Sequence, residues 1–205
     1  GVAFRTLTGS GSDDCFIASF GPTGIGNWAV KISGIYSDRG NAIVTDSSSN
    51  SYITGYCSSP ATIYNSNGTA FKTLSSGAVA NLQNTFLVSL GSTGMGNWAT
   101  LISGSNNSSG NGIDIDINGN VYITGNYSTA ATIFNSDGTI FNTISGSGAG
   151  ITQDCFIVSF GPTGMGNWRS KISGSGADAG YSIKVDNLSN SYITGKYKTP
   201  ATIYN

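Results

Sequence analysis

A unit of 70 residues recurs along the 205-residue chain, and this spacing constrains the fold more than any other feature. Trp28, Trp98 and Trp168 stand one period apart, as do Phe16, Phe86 and Phe156, and Tyr52, Tyr122 and Tyr192. The Ala-Thr-Ile steps beginning at Ala61, Ala131 and Ala201 follow the same interval. A period of this length makes each unit a supersecondary element that buries its apolar faces against its neighbours. The chain therefore reads as one array over 1–205, with repeats at approximately 1–74, 75–144 and 145–205, the last truncated. It begins at Gly1 rather than Met, which points to processing or to a piece of a longer protein.

The middle unit shows the local grammar. The apolar run Thr85 to Leu90 has strand length and stops at Gly91, and the turn 91–97 leads to a second strand, Trp98 to Ser103. A Gly, Ser and Asn loop separates this from a third strand starting at Gly112. There Ile113, Ile115 and Ile117 alternate with Asp114 and Asp116, the period of two that sends apolar and polar side chains to opposite faces. Asn118-Gly119 suits a tight hairpin, because both residues tolerate positive φ, and Asn120 to Gly125 is the fourth strand. Two more β-prone pieces, Ala131 to Phe134 and Thr139 to Ile144, form either a hairpin or an extended connector. Glycine recurs too often for a helix, and no stretch carries a helical apolar stripe. The expected class is all-β: tandem four-stranded antiparallel blades.

Gly40 to Asp46 with Tyr52-Ile-Thr-Gly55, Gly112 to Asp116 with Tyr122-Ile-Thr-Gly125, and Gly180 to Asp186 with Tyr192-Ile-Thr-Gly195 carry a resemblance. Together with the Gly-rich turn and the Trp strand, this order resembles the β-propeller repeat called the SBBP repeat. The resemblance implies propeller blades in a secreted or surface protein and brings no catalytic residues with it. Three blades are fewer than the roughly four that closed propellers need. The chain is accordingly expected to be an incomplete arc, with three ways to complete it: further repeats of a longer parent chain, other copies joined head to tail, or three units closing as a prism.

Several constellations have a functional and a structural reading. Asp114, Asp116, Asn118 and Asn120 look like the start of a calcium loop, but Gly125 stands where a bidentate acid belongs, and a hairpin explains the same residues. The Gly-rich pieces 21–26, 91–96 and 161–166 lead into strands rather than helices, so they read as turns and not phosphate loops. The repeated Trp reads as packing between units before sugar stacking, with Tyr36, Tyr127 and Tyr197 as loose ligand candidates on loops. Cys15, Cys57 and Cys155 cannot all pair within one chain and read as buried thiols. Sequons occur at Asn67, Asn106, Asn107, Asn126 and Asn187.

Charged residues make up 9% of the chain and the net charge is −1, which gives no electrostatic footprint for nucleic acid. No run approaches the roughly 20 apolar residues of a membrane span, so no membrane insertion is expected. All ten acidic residues are Asp, and His and Glu are absent, which removes the commonest general acid–base groups. We therefore expect no enzyme and assign no catalytic, cofactor-binding or metal-binding residue. The leading expectation is a structural or adhesive protein, located extracellularly, on a cell surface or on a viral particle. Its expected partners are other copies of itself or further repeats. The alternative is a multivalent carbohydrate-binding, lectin-like module.

Overall fold

A computed structural model describes residues 1–75, 81–146, 152–198 and 200–205, and every regular element in it is a strand. The first unit contributes β1 (Cys15–Phe20), β2 (Gly26–Gly34), β3 (Asp38–Thr45), β4 (Ser51–Ser58), β5 (Ala61–Tyr64) and β6 (Ala70–Leu74). The second repeats the series as β7 (Gln83–Leu90), β8 (Gly96–Gly104), β9 (Ser108–Ile115), β10 (Val121–Ser128), β11 (Ala130–Phe134) and β12 (Ile140–Ser145). The third supplies β13 (Gln153–Phe160), β14 (Gly166–Gly174), β15 (Ala179–Val185), β16 (Ser191–Lys196) and β17 (Ala201–Ile203).

Local chemistry sets these boundaries. In each Gly-rich turn the fourth residue, Gly24, Gly94 or Gly164, has φ between 75 and 78°, a conformation only Gly adopts without steric cost. The backbone N–H of each donates to the carbonyl of Gly21, Gly91 or Gly161. The pieces 131–134 and 139–144 form the hairpin β11–β12, with Ala131 opposite Ile144. The third strand of the unit begins at Ser108, four residues before the expected Gly112, because β10 holds Ser108 opposite Tyr127.

The strands assemble into antiparallel sheets that exchange strands between units. The central sheet has the order β12-β11-β8-β7-β4-β3. Its β3–β4 hairpin comes from the first unit and the other four strands from the second. The hairpin of a unit's third and fourth strands thus joins the sheet of the next unit, its fourth strand pairing with that unit's first strand and its third strand forming the sheet edge. The reason is that β2 already uses its second edge on β5, with Ile32 opposite Ile63. The chain then crosses at residues 35–37 to the neighbouring sheet. On either side lie a four-stranded sheet, β1-β2-β5-β6, and a five-stranded one, β17-β14-β13-β10-β9. The hairpin β15–β16 stands as a two-stranded sheet. Among the described residues no sheet closes on itself.

Strands β3, β9 and β15 lie next to one another at one edge of the stacked sheets, with β9 packed between the other two. The cores fill the gaps between sheets. One joins Ile32, Cys57, Ala61, Ile63, Leu74 and Phe86; the next joins their equivalents Ile102, Tyr127, Ala131, Ile133, Ile144 and Phe156. The third is smaller, centred on Tyr122, Cys155, Ile157 and Ile183.

Candidate functional site: repeat contacts and open edges

The polar residues singled out by the sequence serve the turns and the contacts between units. Asp116, at the end of β9, accepts hydrogen bonds from the Asn118 and Asn120 backbone N–H groups at 2.9 and 2.8 Å. It also accepts from Asn120 Nδ2 at 2.8 Å, Tyr122 Oη at 3.1 Å and Ser189 Oγ of the next unit at 2.9 Å. Asp46 and Asp186 repeat this arrangement with Asn50 and Tyr52, and with Asn190 and Tyr192. Burial pushes the Asp116 carboxyl upward, but the bonds from Asn120, Ser189 and Tyr122 outweigh it and hold the group below its ordinary range.

The calcium candidates therefore separate. Asp114 does not share a site with Asp116; it faces the neighbouring hairpin, where it meets Lys184 at 3.3 Å and accepts from the Val185 backbone N–H at 2.8 Å. Asn118 contributes its backbone to the turn. Among the described residues no three metal-ligating side chains gather. The motif that sequence reasoning missed is D-x-x-x-N-x-Y, present at Asp46, Asp116 and Asp186, whose fixed spacing recurs in all three units.

The tryptophans cross from one unit to the next. Trp28 Nε1 donates to the Ser92 carbonyl and Trp98 Nε1 to the Pro162 carbonyl, both at 2.8 Å. Each ring sits on the positive-φ glycine of that turn: a Cβ placed on Gly94 would meet Trp28, and one on Gly164 would meet Trp98. Trp98 also contacts Tyr52, and Trp168 contacts Tyr122, at centroid separations of 6.1 and 5.9 Å. Asparagines stitch the edge where β3, β9 and β15 meet: Asn41 Nδ2 donates to the Gly110 carbonyl and Asn111 Nδ2 to that of Gly180. Of the loose ligand candidates, Tyr127 is fully buried and donates to the Ser145 carbonyl, Tyr36 is half-buried, and Tyr197 is exposed.

All three cysteines are buried and unpaired. Desolvation pushes the Cys15 thiol up to about 12 and raises Cys57 and Cys155 as well, so each stays protonated and unreactive at neutral pH. Asn67, Asn107 and Asn187 are exposed sequon asparagines, whereas Asn106 and Asn126 are half-buried. Among the described residues no helix is long and apolar enough to cross a membrane.

The least satisfied surfaces are two sheet edges. β7 and β13 are each flanked on both sides, by β4 and β8 and by β10 and β14. Among the described residues their equivalent β1 pairs only with β2, and β16, the equivalent of β4 and β10, pairs only with β15. The apolar residues follow: Phe86 and Phe156 are 0% exposed and Phe16 72%, while Tyr52 and Tyr122 are 5% and 4% exposed and Tyr192 61%. Between β14, β16 and β17 opens an apolar cleft of about 390 Å³, lined by Ile172, Ile193, Tyr197, Ala201 and Ile203.

Stacked antiparallel sheets built by strand exchange between repeats define this as an all-β protein of propeller-type blades. Residues 97–126 match the family model described as Beta-propeller repeat, SBBP, so the chain carries an SBBP β-propeller repeat. The matched segment runs from the Trp98 strand into the Tyr122-Ile-Thr-Gly125 strand. An uncharacterized WD repeat-containing protein of Acanthamoeba polyphaga mimivirus is 30% identical over 187 residues. The alignment covers 83% of this chain, which spans 13% of that relative's length.

Proposed function

We propose that this protein is a non-enzymatic structural or adhesive surface protein that works by stacking its propeller repeats with further repeats. The observation that carries the reading is how its polar side chains are used. Asp116 directs its carboxylate to four donors within its own turn and strand and a fifth, Ser189, from the adjoining unit, and Asp46 and Asp186 repeat the four within their own units. Catalysis needs one asymmetric constellation with an available acid or base; here equivalent positions serve equivalent architectural contacts. The proposed location is extracellular, on a cell surface or on a viral particle, and a relative from a virus supports the last of these. Antibody raised against the chain is expected to label intact particles or cells of its source. Labelling only after lysis would contradict the reading.

A multivalent carbohydrate-binding module is the second reading. Tyr181, Tyr192 and Tyr197, exposed on and beside β15–β16, favour it, since exposed aromatic rings stack on sugars. Saturable binding on a glycan array, lost on Tyr181→Ala, would move this reading ahead. Yet Tyr192 and Tyr197 are equivalents of the buried Tyr122 and Tyr127, which marks them as interface residues first.

A further inference from the structure

We propose that a second copy of this chain covers the open β16 edge and the adjacent cleft, with β1 as the added strand and residues 3–7 as a second one. The proposal rests on the stacking reading above and gives that stacking a partner and a register. Its template is internal, because the chain already makes the same junction twice.

In those junctions β4 pairs with β7 and β10 with β13, with Tyr52 opposite Ser89 and Tyr122 opposite Ser159. One period further on, Tyr192 of one copy falls opposite Ser19 of the other. β15–β16 would then continue into β1, β2, β5 and β6, which reproduces the six-stranded order of the central sheet. The outer hairpins add a second constraint. β6 pairs with β5, Ala61 opposite Leu74, and β12 with β11, Ala131 opposite Ile144. β17 has no such partner among the described residues. Residues 3–7 hold the equivalent sequence: Phe4 already sits against Gly26 as Phe71 and Phe141 sit against Gly96 and Gly166. Laid on β17, they place Leu7 opposite Ala201. A single neighbouring copy therefore supplies both strands.

The side chains agree with this register. In the built junctions Phe86 packs with Ile32, Cys57, Ile63 and Leu74, and Phe156 with Ile102, Tyr127, Ile133 and Ile144. The cleft beside β16 presents the next members of the series, Ile172, Tyr197 and Ile203, and stands open. Phe16 and Leu7 of the second copy are the residues that fill it. Among the described residues, Trp168, 39% exposed, has no carbonyl beneath it from a following turn, and of the equivalent glycines Gly24, Gly94 and Gly164 only Gly24 has nothing within 4 Å of an added Cβ. Docking joins them as Trp28 joins Gly94. Ser49, exposed and at φ 62° like Ser189 at φ 64°, comes to Asp186 as Ser189 comes to Asp116. At the end of the ladder Lys198 meets Asp13, an opposite-charge pair.

Because each copy offers one edge of each kind, association is head to tail and propagates unless a ring closes. Sedimentation equilibrium of the 205-residue chain over a wide concentration range tests it. Multiples of 21.0 kDa are expected, with Phe16→Ala weakening association at least about 100-fold while leaving the thermal melt of the dilute chain unchanged. Register is read separately in a Cys15→Thr background, where Ser19→Cys with Tyr192→Cys should give intermolecular disulfides and Ser19→Cys with Ile193→Cys should not. A mass fixed at 21.0 kDa at every concentration, or multimers indifferent to Phe16→Ala, overturns the proposal. The fixed mass would assign the edges to further repeats of a longer chain, and it would leave the surface-labelling test of the previous section untouched.

Discussion

The central sheet and the β15–β16 hairpin are built from the same repeated sequence, yet one is flanked on both faces and the other is half open. β7 in the centre is buried along nearly its whole length, and so is β13; β16 is mostly exposed. The difference teaches that a strand of this repeat does not carry its own stability. It gains it from the next unit, whose strands complete the sheet and whose Trp-contacting turn caps it. An edge left open exposes both apolar surface and unpaired backbone groups.

Substitutions at equivalent positions can break this comparison. The largest contrast is expected between Phe156→Ala and Phe16→Ala. The first removes a fully buried ring and should cost about 3–5 kcal/mol in urea denaturation, whereas the second should cost almost nothing in dilute solution. Equal losses would mean that the first unit is packed as tightly as the others. Next is Gly164→Ala against Gly24→Ala. Both glycines have positive φ, so both changes carry a strain of roughly 1–2 kcal/mol. Only the first drives a Cβ into Trp98, for a total of about 3 kcal/mol by the same assay.

The pH profile sharpens the comparison at the junction of the first sheet with the central one. Asp38 is buried there; its Oδ1 accepts from the Ser58 backbone N–H, while Oδ2 has no hydrogen-bond partner among the described residues. Desolvation raises its carboxyl from 3.8 to about 7, despite opposing backbone hydrogen bonds. The folded chain thus holds a proton that the unfolded chain releases above about pH 4. The contribution of Asp38 to stability is full below that pH and falls by about 2–4 kcal/mol as pH climbs through about 7. Asp38→Asn should flatten this part of a Tm-against-pH curve; an unaltered slope would place its cause elsewhere. The smallest effect separates Asp116→Ala, expected to cost about 1–3 kcal/mol, from Asp186→Ala, whose turn is solvent-exposed and should be more tolerant in calorimetry.

Strand class, turn positions and the packing role of Trp28 and Trp98 were legible in the sequence because each rests on local chemistry: alternation, glycine at positive φ and a bulky ring at a fixed interval. Strand exchange was not. Alternation in Ile113 and Ile115 says which side chains share a face, but it does not show that Asp114 on the other face is equally buried while Ile117 is exposed, nor which sheet the strand joins, a choice made by β5 occupying the edge of β2. Ser108 to Gly110 lack β-branched or aromatic side chains, so their extended form comes from pairing with β10 rather than from propensity. The Asp46, Asp116 and Asp186 network could have been found: three carboxylates at one interval, each followed by Asn at four residues and Tyr at six, mark an acceptor with fixed donors.

Residue-resolved amide hydrogen exchange of the dilute, monomeric chain tests the central claim most directly, because exchange reports local opening strand by strand. The account predicts slow exchange in β7, β8, β10 and β13, rapid exchange in β15, β16 and the outer edge of β1, and protection of those edges only when they are covered. Uniform protection across all three units in the monomer would contradict it, since each repeat would then be stable without the strands of its neighbour.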